Sequence, residues 1–301
     1  MSKPKIIITG AGGWLGTSTI HFLTNSHRFK HIELILLTSD GRDILVVNRL
    51  FKTYKLNEYK VEAFSNIVGI VHLAFVTKGR VFENTFDLYV LRNREIIDIV
   101  VKLIKTAKPP WVTIVSSGAV AKFNSSIEKD PYGFLKLEEE LAISRVSTEL
   151  GLGFSIGRLW GAMGVDMPIN KNYAISDFIC QAFESKKIII ETPELTYRYY
   201  CDSREFMEIC ITLAEQRYNK IFDSGGFKVE IGYLAKMVSL QTASNLMPRT
   251  ISTFVELEQY CPPNNSYTEL QDILEIKREI TIEKLVEDTI EGHRAQYKLS
   301  I

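Results

Sequence analysis

The sequence has no excess of charge, no long apolar run and few cysteines, and each shortage excludes a class of protein. Its 301 residues include 36 Lys plus Arg and 36 Asp plus Glu, so the formal net charge is zero. This balance removes the usual electrostatic basis for binding nucleic acid or an acidic membrane surface. No stretch reaches the roughly 18 apolar residues of a transmembrane helix, and the first apolar run is too short for a signal peptide.

The four cysteines indicate a protein without disulfides or a metal site. They are Cys180, Cys201, Cys210 and Cys261. None forms a CxxC pair, and no Cys/His group has the spacing of zinc ligands. We therefore expect reduced thiols in a cytoplasmic protein. The 46% hydrophobic and 24% charged residues are ordinary for a globular chain with a large core.

Short apolar runs alternate with longer helical patterns through the first half of the chain. The predicted strands are Lys5–Thr9, Glu33–Leu37, Ile67–Ala74, Trp111–Ser116 and Gly153–Arg158, with Phe51–Leu56 as a weaker candidate. The predicted helices are Trp14–Thr24, Glu83–Lys105 and Tyr132–Leu150. Strands that are apolar at every residue are typical of a parallel sheet covered on both faces. The pattern predicts an α/β protein with a Rossmann-type doubly wound parallel sheet.

The pattern changes after Gly161. Loops lengthen, and helical segments at 175–185, 203–217, 230–240 and 280–295 are more scattered. We therefore predict a dinucleotide-binding domain over residues 1–160. Residues 161–301 would form mostly a smaller substrate-binding portion, with some segments returning to the sheet.

A glycine loop, TGAGGWLG, follows the first predicted strand and opens the first predicted helix. Gly10, Gly13 and Gly16 give the spacing GxxGxxG, whereas GxGxxG fails because Leu15 stands at its third glycine. Glycines allow a tight turn and a close approach of backbone amides to a pyrophosphate. The start of the helix, at Trp14 and Leu15, adds free N–H donors and a partial positive charge. The loop therefore predicts a dinucleotide site.

The ribose end of that site is ambiguous. The second predicted strand runs into Thr38-Ser39-Asp40-Gly41-Arg42. An acidic residue here favours NAD by accepting from the ribose 2′-hydroxyl, and Asp40 can do so. Thr38 or Ser39 takes the expected position instead, and Arg42 can meet the 2′-phosphate of NADP. We expect NAD or NADP, with a slight preference for NADP.

Tyr132 and Lys136 form a YxxxK pattern on one face of a predicted helix. An ammonium beside a phenol stabilises its anion, so such a tyrosine can trade a proton with a substrate hydroxyl or carbonyl. Ser117 follows the fourth clear strand, and its hydroxyl can donate to the same substrate oxygen. The carboxyl ends of parallel strands share one sheet edge. We therefore expect the glycine loop, Ser117 and Tyr132 to lie at the same edge.

Taken together, these motifs resemble the extended short-chain dehydrogenase/reductases, which include nucleotide-sugar epimerases, dehydratases and reductases. The resemblance covers about residues 5–240 and lies in TGAGGWLG, IVHLAF, VSSGAV, YGFLK and GRLWGAMG. It implies Tyr132 as the catalytic acid or base and Ser117 as a ligand of the substrate oxygen. Lys136 would hold the nicotinamide ribose and tune Tyr132.

The same resemblance implies further contacts. Leu73, Ala74 and Phe75 would border the cofactor, and Asn93 falls near the family's structural asparagine in the helix before Ser117. Arg198 would meet the diphosphate of a nucleotide-sugar, a role that suits a planar charged fork. The resemblance also implies a homodimer formed through the helices at Glu83–Lys105 and Tyr132–Leu150.

Four positions depart from the family pattern. Gly118 and Ala119 stand where 4,6-dehydratases carry an Asp-Glu pair, which argues against dehydration. Ala121 replaces the usual tyrosine, and Gly161 replaces the asparagine of RxxNxxG, so a substrate contact is missing or replaced.

The first hypothesis is an NAD(P)-dependent epimerase or reductase acting at C4 of a nucleotide-linked deoxysugar. The alternatives are a reductase of a non-sugar carbonyl and a non-catalytic dinucleotide-binding sensor.

Overall fold

The computed structural model describes residues 2–46, 48–60, 65–77, 85–170, 172–251, 258–264, 266–276 and 280–299. Its contacts divide the chain into two units. The first contains Met1–Leu159 and Met207–Phe222, and the second contains Trp160–Phe206 and Asp223–Ile301.

The described residues alternate strands and helices along the chain. The strands are β1 Lys5–Thr9, β2 Glu33–Thr38, β3 Ile44–Val46, β4 Arg49–Phe51, β5 Tyr54–Lys55, β6 Ile67–His72, β7 Trp111–Ser117, β8 Gly153–Leu159, β9 Ala162–Met163, β10 Lys187–Ile188, β11 Thr196–Asp202, β12 Lys220–Asp223, β13 Phe227–Glu230, β14 Asn245–Leu246 and β15 Glu258–Tyr260. The helices are α1 Trp14–Asn25, α2 Phe86–Ala107, α3 Gly118–Lys122, α4 Pro131–Glu149, α5 Ala174–Ser185, α6 Ser203–Glu215, α7 Ile231–Thr242, α8 Ser266–Ile273 and α9 Ile282–Leu299.

A seven-stranded sheet organises the first unit, in the order β12-β8-β7-β6-β1-β2-β5. The neighbours from β8 to β5 all run parallel. The chain moves from β1 to β2 in one direction and then crosses to β6 on the other side of β1. That reversal leaves a crevice at the carboxyl ends of the strands, where ligands bind in open α/β sheets. The predicted Rossmann-type fold is confirmed.

The helices that cover this sheet have clear start and stop signals. Thr85 caps α2 by accepting from the Leu88 N–H, and the predicted start of this helix at Glu83 lies outside the described residues. Asp130 caps α4 by accepting from Gly133 N–H, and Pro131 occupies the first turn, where its missing N–H costs nothing. Both helices bury isoleucines against the apolar strands.

The weaker strand candidate, Phe51–Leu56, divides into two short strands. Phe51 ends β4, which pairs antiparallel with β3, whereas β5 pairs with β2 at the sheet edge. Thr53 interrupts the run because its N–H donates to Asp43 and its hydroxyl donates to the Arg42 carbonyl. These side-chain contacts come from residues about ten positions away, so the local apolar pattern does not reveal them.

The second unit contains a buried histidine on α9. His293 Nδ1 lies 3.0 Å from the Thr289 carbonyl oxygen, and its Nε2 lies 2.8 Å from Ser176 Oγ on α5. Burial lowers the pKa of His293 below its usual value. The folded ring therefore stays neutral at a pH where the unfolded ring binds a proton.

We expect this histidine to make the protein sensitive to acid. The unfolded state binds more protons as the pH falls below the ordinary histidine value of about 6.5, so folding stability decreases there. His293→Gln should flatten that decrease, measured by urea unfolding between pH 7 and pH 5. His31→Gln, at an exposed position, is the control and should keep the wild-type slope. An unchanged slope in His293→Gln would contradict the prediction.

Candidate active site

The glycine loop joins β1 to α1 and is shaped by two close backbone contacts. Gly10 has φ +67°, and a Cβ there would lie 2.6 Å from Ala74 N. A Cβ on Gly16 would lie 2.5 Å from the carbonyl oxygens of both Gly10 and Ala11. These positions therefore need glycine for the fold itself, because backbone atoms occupy the space that a side chain would take.

Gly13 differs from these two glycines because a Cβ there would have one close neighbour, the Gly10 carbonyl oxygen at 3.3 Å. It is exposed, and it forms the N-cap of α1 without a side-chain hydrogen bond. The first turn of α1, which begins at Trp14 and Leu15, carries no acidic residue. Bare N–H groups at a helix start form an anion-binding cradle. The loop thus fits the pyrophosphate of a dinucleotide on its own geometry.

At the end of β2, the residues expected at the ribose are paired with one another. Asp40 Oδ1 accepts from the Arg42 backbone N–H at 3.1 Å, and Asp40 Oδ2 accepts from Arg42 Nε at 2.5 Å. The backbone and guanidinium hydrogen bonds of Arg42 lower the pKa of Asp40. Thr38 Oγ1 accepts from the Gly41 N–H and lies 3.1 Å from Thr53 Oγ1. The sequence-based preference for NADP stays a prediction. It requires the Arg42 guanidinium to break its hydrogen bond with Asp40 and bind the 2′-phosphate instead.

The loop after β6 is held from both sides. The Leu73 and Ala74 N–H groups donate to Thr9 Oγ1 at the end of β1. Asn93 is fully buried on α2, where its Oδ1 accepts from the Val76 N–H at 2.8 Å. The Asn93 amide also donates to the Tyr89 carbonyl at 3.2 Å. Asn93 therefore holds this loop in place, and its contribution to cofactor binding acts through the position of the loop.

Ser117 is the last residue of β7 and the N-cap of α3. Its Oγ accepts from the Ala119 N–H at 3.2 Å, and 8% of the residue is exposed. A hydroxyl has two acceptor lone pairs and one donor proton. The cap uses a lone pair, which leaves the proton for another acceptor. The capping role and the expected substrate contact are therefore compatible.

Tyr132 and Lys136 are brought together around the ring of Phe75. The rings of Phe75 and Tyr132 meet edge to face, with centroids 5.8 Å apart. Lys136 Nζ lies 4.0 Å from the centroid of the Phe75 ring. The ammonium also donates to the Val115 carbonyl at 3.0 Å. The first turns of α4 thus place a phenol and a buried ammonium beside the loop that follows β6.

Two further titratable groups reach this cluster, and the sequence analysis missed their roles. Glu139 Oε2 accepts from Lys136 Nζ at 2.8 Å, and its Oε1 lies 3.0 Å from His72 Nε2. Burial raises the pKa of Glu139, but the ammonium and the imidazole outweigh it, and the pKa is lowered. The i,i+3 spacing from Lys136 was the available signal. It was masked because Glu139 is one of three consecutive glutamates.

Arg198 lies on β11 in the second unit and is half-buried. Its Nη1 donates to the Tyr197 carbonyl at 3.0 Å, and its guanidinium carbon lies 6.0 Å from the Tyr260 ring centroid. In the same unit, a Cβ on Gly161 would collide with the Tyr199 carbonyl oxygen. That contact explains the glycine in place of the family's asparagine. The diphosphate role of Arg198 stays a prediction.

The strand order, the glycine loop and the Tyr–Lys pair define a dinucleotide-binding α/β protein of the extended short-chain dehydrogenase/reductase type. The sequence profile of the NAD dependent epimerase/dehydratase family matches residues 6–225. The chain belongs to that family. A direct comparison with curated proteins finds no match.

Several solved structures share the fold over their whole length. The protein MoeE5, in complex with UDP-glucose and NAD, is 17% identical with a TM-score of 0.74, covering 97% of this chain and 99% of that chain. UDP-glucose 4-epimerase from Thermotoga maritima, with UDP-glucose, is 15% identical with a TM-score of 0.75 and coverages of 97% and 99%. dTDP-glucose 4,6-dehydratase from Bacillus anthracis, in complex with NAD, is 13% identical with a TM-score of 0.72 and coverages of 98% and 98%.

Two features are absent from the described residues. No group of three or more His, Cys, Asp or Glu side chains in that part of the chain is arranged to hold a metal ion. Among the helices so described, none combines the length and apolar character needed to cross a bilayer.

The contrast between the glycines gives a test of the dinucleotide site. Gly13→Val should remove dinucleotide binding because its side chain would occupy the phosphate cradle, while the fold survives. Gly16→Ala should instead lower the unfolding temperature, because its Cβ would meet two carbonyl oxygens. Calorimetric titration with NAD and NADP, with thermal unfolding in parallel, separates the two effects. Unchanged dinucleotide affinity in Gly13→Val would place the cofactor elsewhere.

Proposed function

We propose that the protein is an NAD(P)-dependent enzyme that epimerises or reduces C4 of a nucleotide-linked deoxysugar, with Tyr132 as the acid/base. The observation that carries this proposal is the Tyr132–Lys136 pair beside Phe75. It supports proton transfer because a buried ammonium and a half-buried phenol both contact the Phe75 ring. Family membership supports the cofactor and the general class of reaction.

The proposed cofactor contacts come from three parts of the first unit. The exposed backbone of Gly13 and the amides of Trp14 and Leu15 would hold the pyrophosphate at the start of α1. The backbone of Leu73 and Ala74 would border the dinucleotide, since this backbone packs directly against Gly10 of the glycine loop. When bound, the nicotinamide supplies the group that takes up or gives back a hydride.

The proton chemistry falls to this chain's own side chains. Tyr132 would take the proton from the sugar hydroxyl during oxidation and return it during reduction. Lys136 would stabilise the phenolate through its charge and reach the nicotinamide ribose. Ser117 would donate its free proton to the same sugar oxygen and stabilise developing charge there.

The nucleotide-sugar assignment is supported by the ligands of similar structures and by Arg198. MoeE5 and the Thermotoga maritima epimerase are complexes with UDP-glucose. Arg198 is the residue we assign to the diphosphate, because a guanidinium binds phosphate oxygens in pairs. Dehydration is disfavoured because Gly118 and Ala119, at the start of α3, carry no carboxylate.

We also infer a homodimer formed through α2 and α4. These helices contact one another along the first unit. Leu91 on α2 and Leu141 on α4 are more than half exposed. Apolar side chains at such positions suit a contact with a second copy of the chain.

Tyr132→Phe tests the acid/base assignment. Turnover should fall about 10²–10⁴-fold, the usual contribution of a general acid–base group, while dinucleotide affinity stays within a few-fold of the wild type. Reduction is followed by nicotinamide absorbance with a 4-keto sugar nucleotide, and epimerisation by product analysis with a 4-hydroxy one. Loss of dinucleotide binding in this variant would mean that Tyr132 is structural.

Lys136→Met tests the two roles assigned to the ammonium. It should weaken dinucleotide binding and turnover together, since the ammonium is assigned to both the ribose and the phenol. The measurements are the same titration and turnover assays. Undiminished activity in this variant would remove Lys136 from the mechanism.

Asp40→Asn tests what sets the cofactor choice. Loss of the carboxylate releases Arg42 and removes a repulsion from a 2′-phosphate, so the affinity ratio of NADPH to NADH should rise about tenfold. Arg42→Gln should lower the same ratio. Nicotinamide fluorescence titration measures both affinities, and an unchanged ratio in Asp40→Asn would refute this assignment.

A further inference from the structure

Glu139 is a buried carboxylate that the proposed proton transfer does not use. Only 1% of the residue is exposed, yet neither of its oxygens lacks a contact. Oε2 accepts from Lys136 Nζ at 2.8 Å, and Oε1 lies 3.0 Å from His72 Nε2. A buried carboxylate is strongly unfavourable unless such partners compensate it. Glu139 is therefore held in place by the same ammonium that the proposed reaction needs.

His72 joins Glu139 to the end of β1. Its Nδ1 lies 2.6 Å from Thr9 Oγ1, which also accepts from the Leu73 and Ala74 N–H groups. Its Nε2 lies 3.0 Å from Glu139 Oε1 but makes no hydrogen bond there. Lys136, which donates to Glu139 Oε2 at 2.8 Å, is therefore the principal partner of this carboxylate.

Two of the three donors of Lys136 are taken by protein oxygens, those of the Val115 carbonyl and Glu139. Its Nζ also lies 4.0 Å from the centroid of the Phe75 ring. Removing Glu139 would leave the ammonium with one oxygen partner and a ring. Its position would then be fixed less firmly, and its charge would no longer be balanced inside the fold.

We propose that Glu139 is a positioning residue for Lys136, which fixes the ammonium and balances its charge so that Tyr132 keeps its proton to a higher pH than beside a lone lysine. This inference rests on the proposed roles of Tyr132 and Lys136. The lowered pKa of Glu139 agrees with a carboxylate that is ionised beside Lys136. The three consecutive glutamates thus have separate partners, since Glu138 pairs with Arg94 and Glu140 pairs with Arg158.

Other charged or titratable groups face the same region and stay constant in the test. Tyr89 on α2 interacts with Tyr132 and Asp130, and burial, followed by those two groups, raises the pKa of Tyr89. Asp130 caps the start of α4. The Glu140–Arg158 pair joins α4 to β8 at 2.7 Å. None of these is altered by a substitution at Glu139.

The test is the ionisation midpoint of Tyr132 without substrate. Tyrosine labelled with carbon-13 at Cζ gives one resonance per ring, and Tyr132→Phe identifies the signal. Glu139→Gln should lower the midpoint by about one pH unit, as expected for loss of a charge two helical turns away, about 10 Å, at an effective dielectric near 20. Glu139→Asp, which keeps the charge, should restore most of the wild-type value. Glu138→Gln is the control because that carboxylate is solvent-accessible and screened.

An unchanged midpoint in Glu139→Gln would overturn the proposal, as would an equal shift in Glu138→Gln. If Glu139→Gln does not fold, Lys136→Met is compared with Lys136→Met/Glu139→Gln, in which both charges of the pair are absent. The double variant should have the lower midpoint, and equal midpoints would overturn the proposal.

The ionisation midpoint of Tyr132 is measured without substrate, so it is independent of turnover. If no sugar nucleotide reacts and the shift is nevertheless seen, the proposed function fails and the positioning role stands. If turnover is found without the shift, only the positioning role fails.

Discussion

The candidate site depends on the common edge at which β1, β6 and β7 end. Thr9, His72 and Ser117 are the last residues of these three strands, and parallel pairing brings their ends to one edge. The glycine loop leaves that edge towards α1. Because the crossovers are helical and the strands are buried on both faces, polar groups at this edge can meet while the rest of the sheet stays apolar.

The second constraint is the cost of burying charge on α4. Glu139 and Glu140 are almost inaccessible to solvent, and each is compensated by a cation, Lys136 or Arg158. A helix that merely covered a sheet would carry apolar residues at these positions. Replacing a buried ion pair by apolar residues is often neutral or stabilising. The pair at Lys136 is therefore better explained by chemistry at the strand ends than by packing.

Much of the fold could be predicted because local patterns determine it. The apolar runs placed β1, β2, β6, β7 and β8 within two residues of their observed ends, and the glycine loop and Pro131 placed the starts of α1 and α4 within one residue. The division of Phe51–Leu56 was missed because Thr53 bonds to Arg42 and Asp43, which are distant in the sequence. The pairing of Asp40 with Arg42 was missed for a different reason. Each residue was assessed against a ligand, whereas the structure pairs them with one another.

The same limit applies to Glu139 and to Gly161. A run of three glutamates reads as a solvated helix face, since sequence does not show which member points towards a lysine one turn away. From the sequence, Gly161 indicates a lost substrate contact. In the structure, the Tyr199 carbonyl leaves no room for a side chain at this position. Both features follow from what the neighbouring backbone and side chains allow. A departure from a family pattern is therefore explained first by local packing. It affects activity only through the groups that this packing brings to the site.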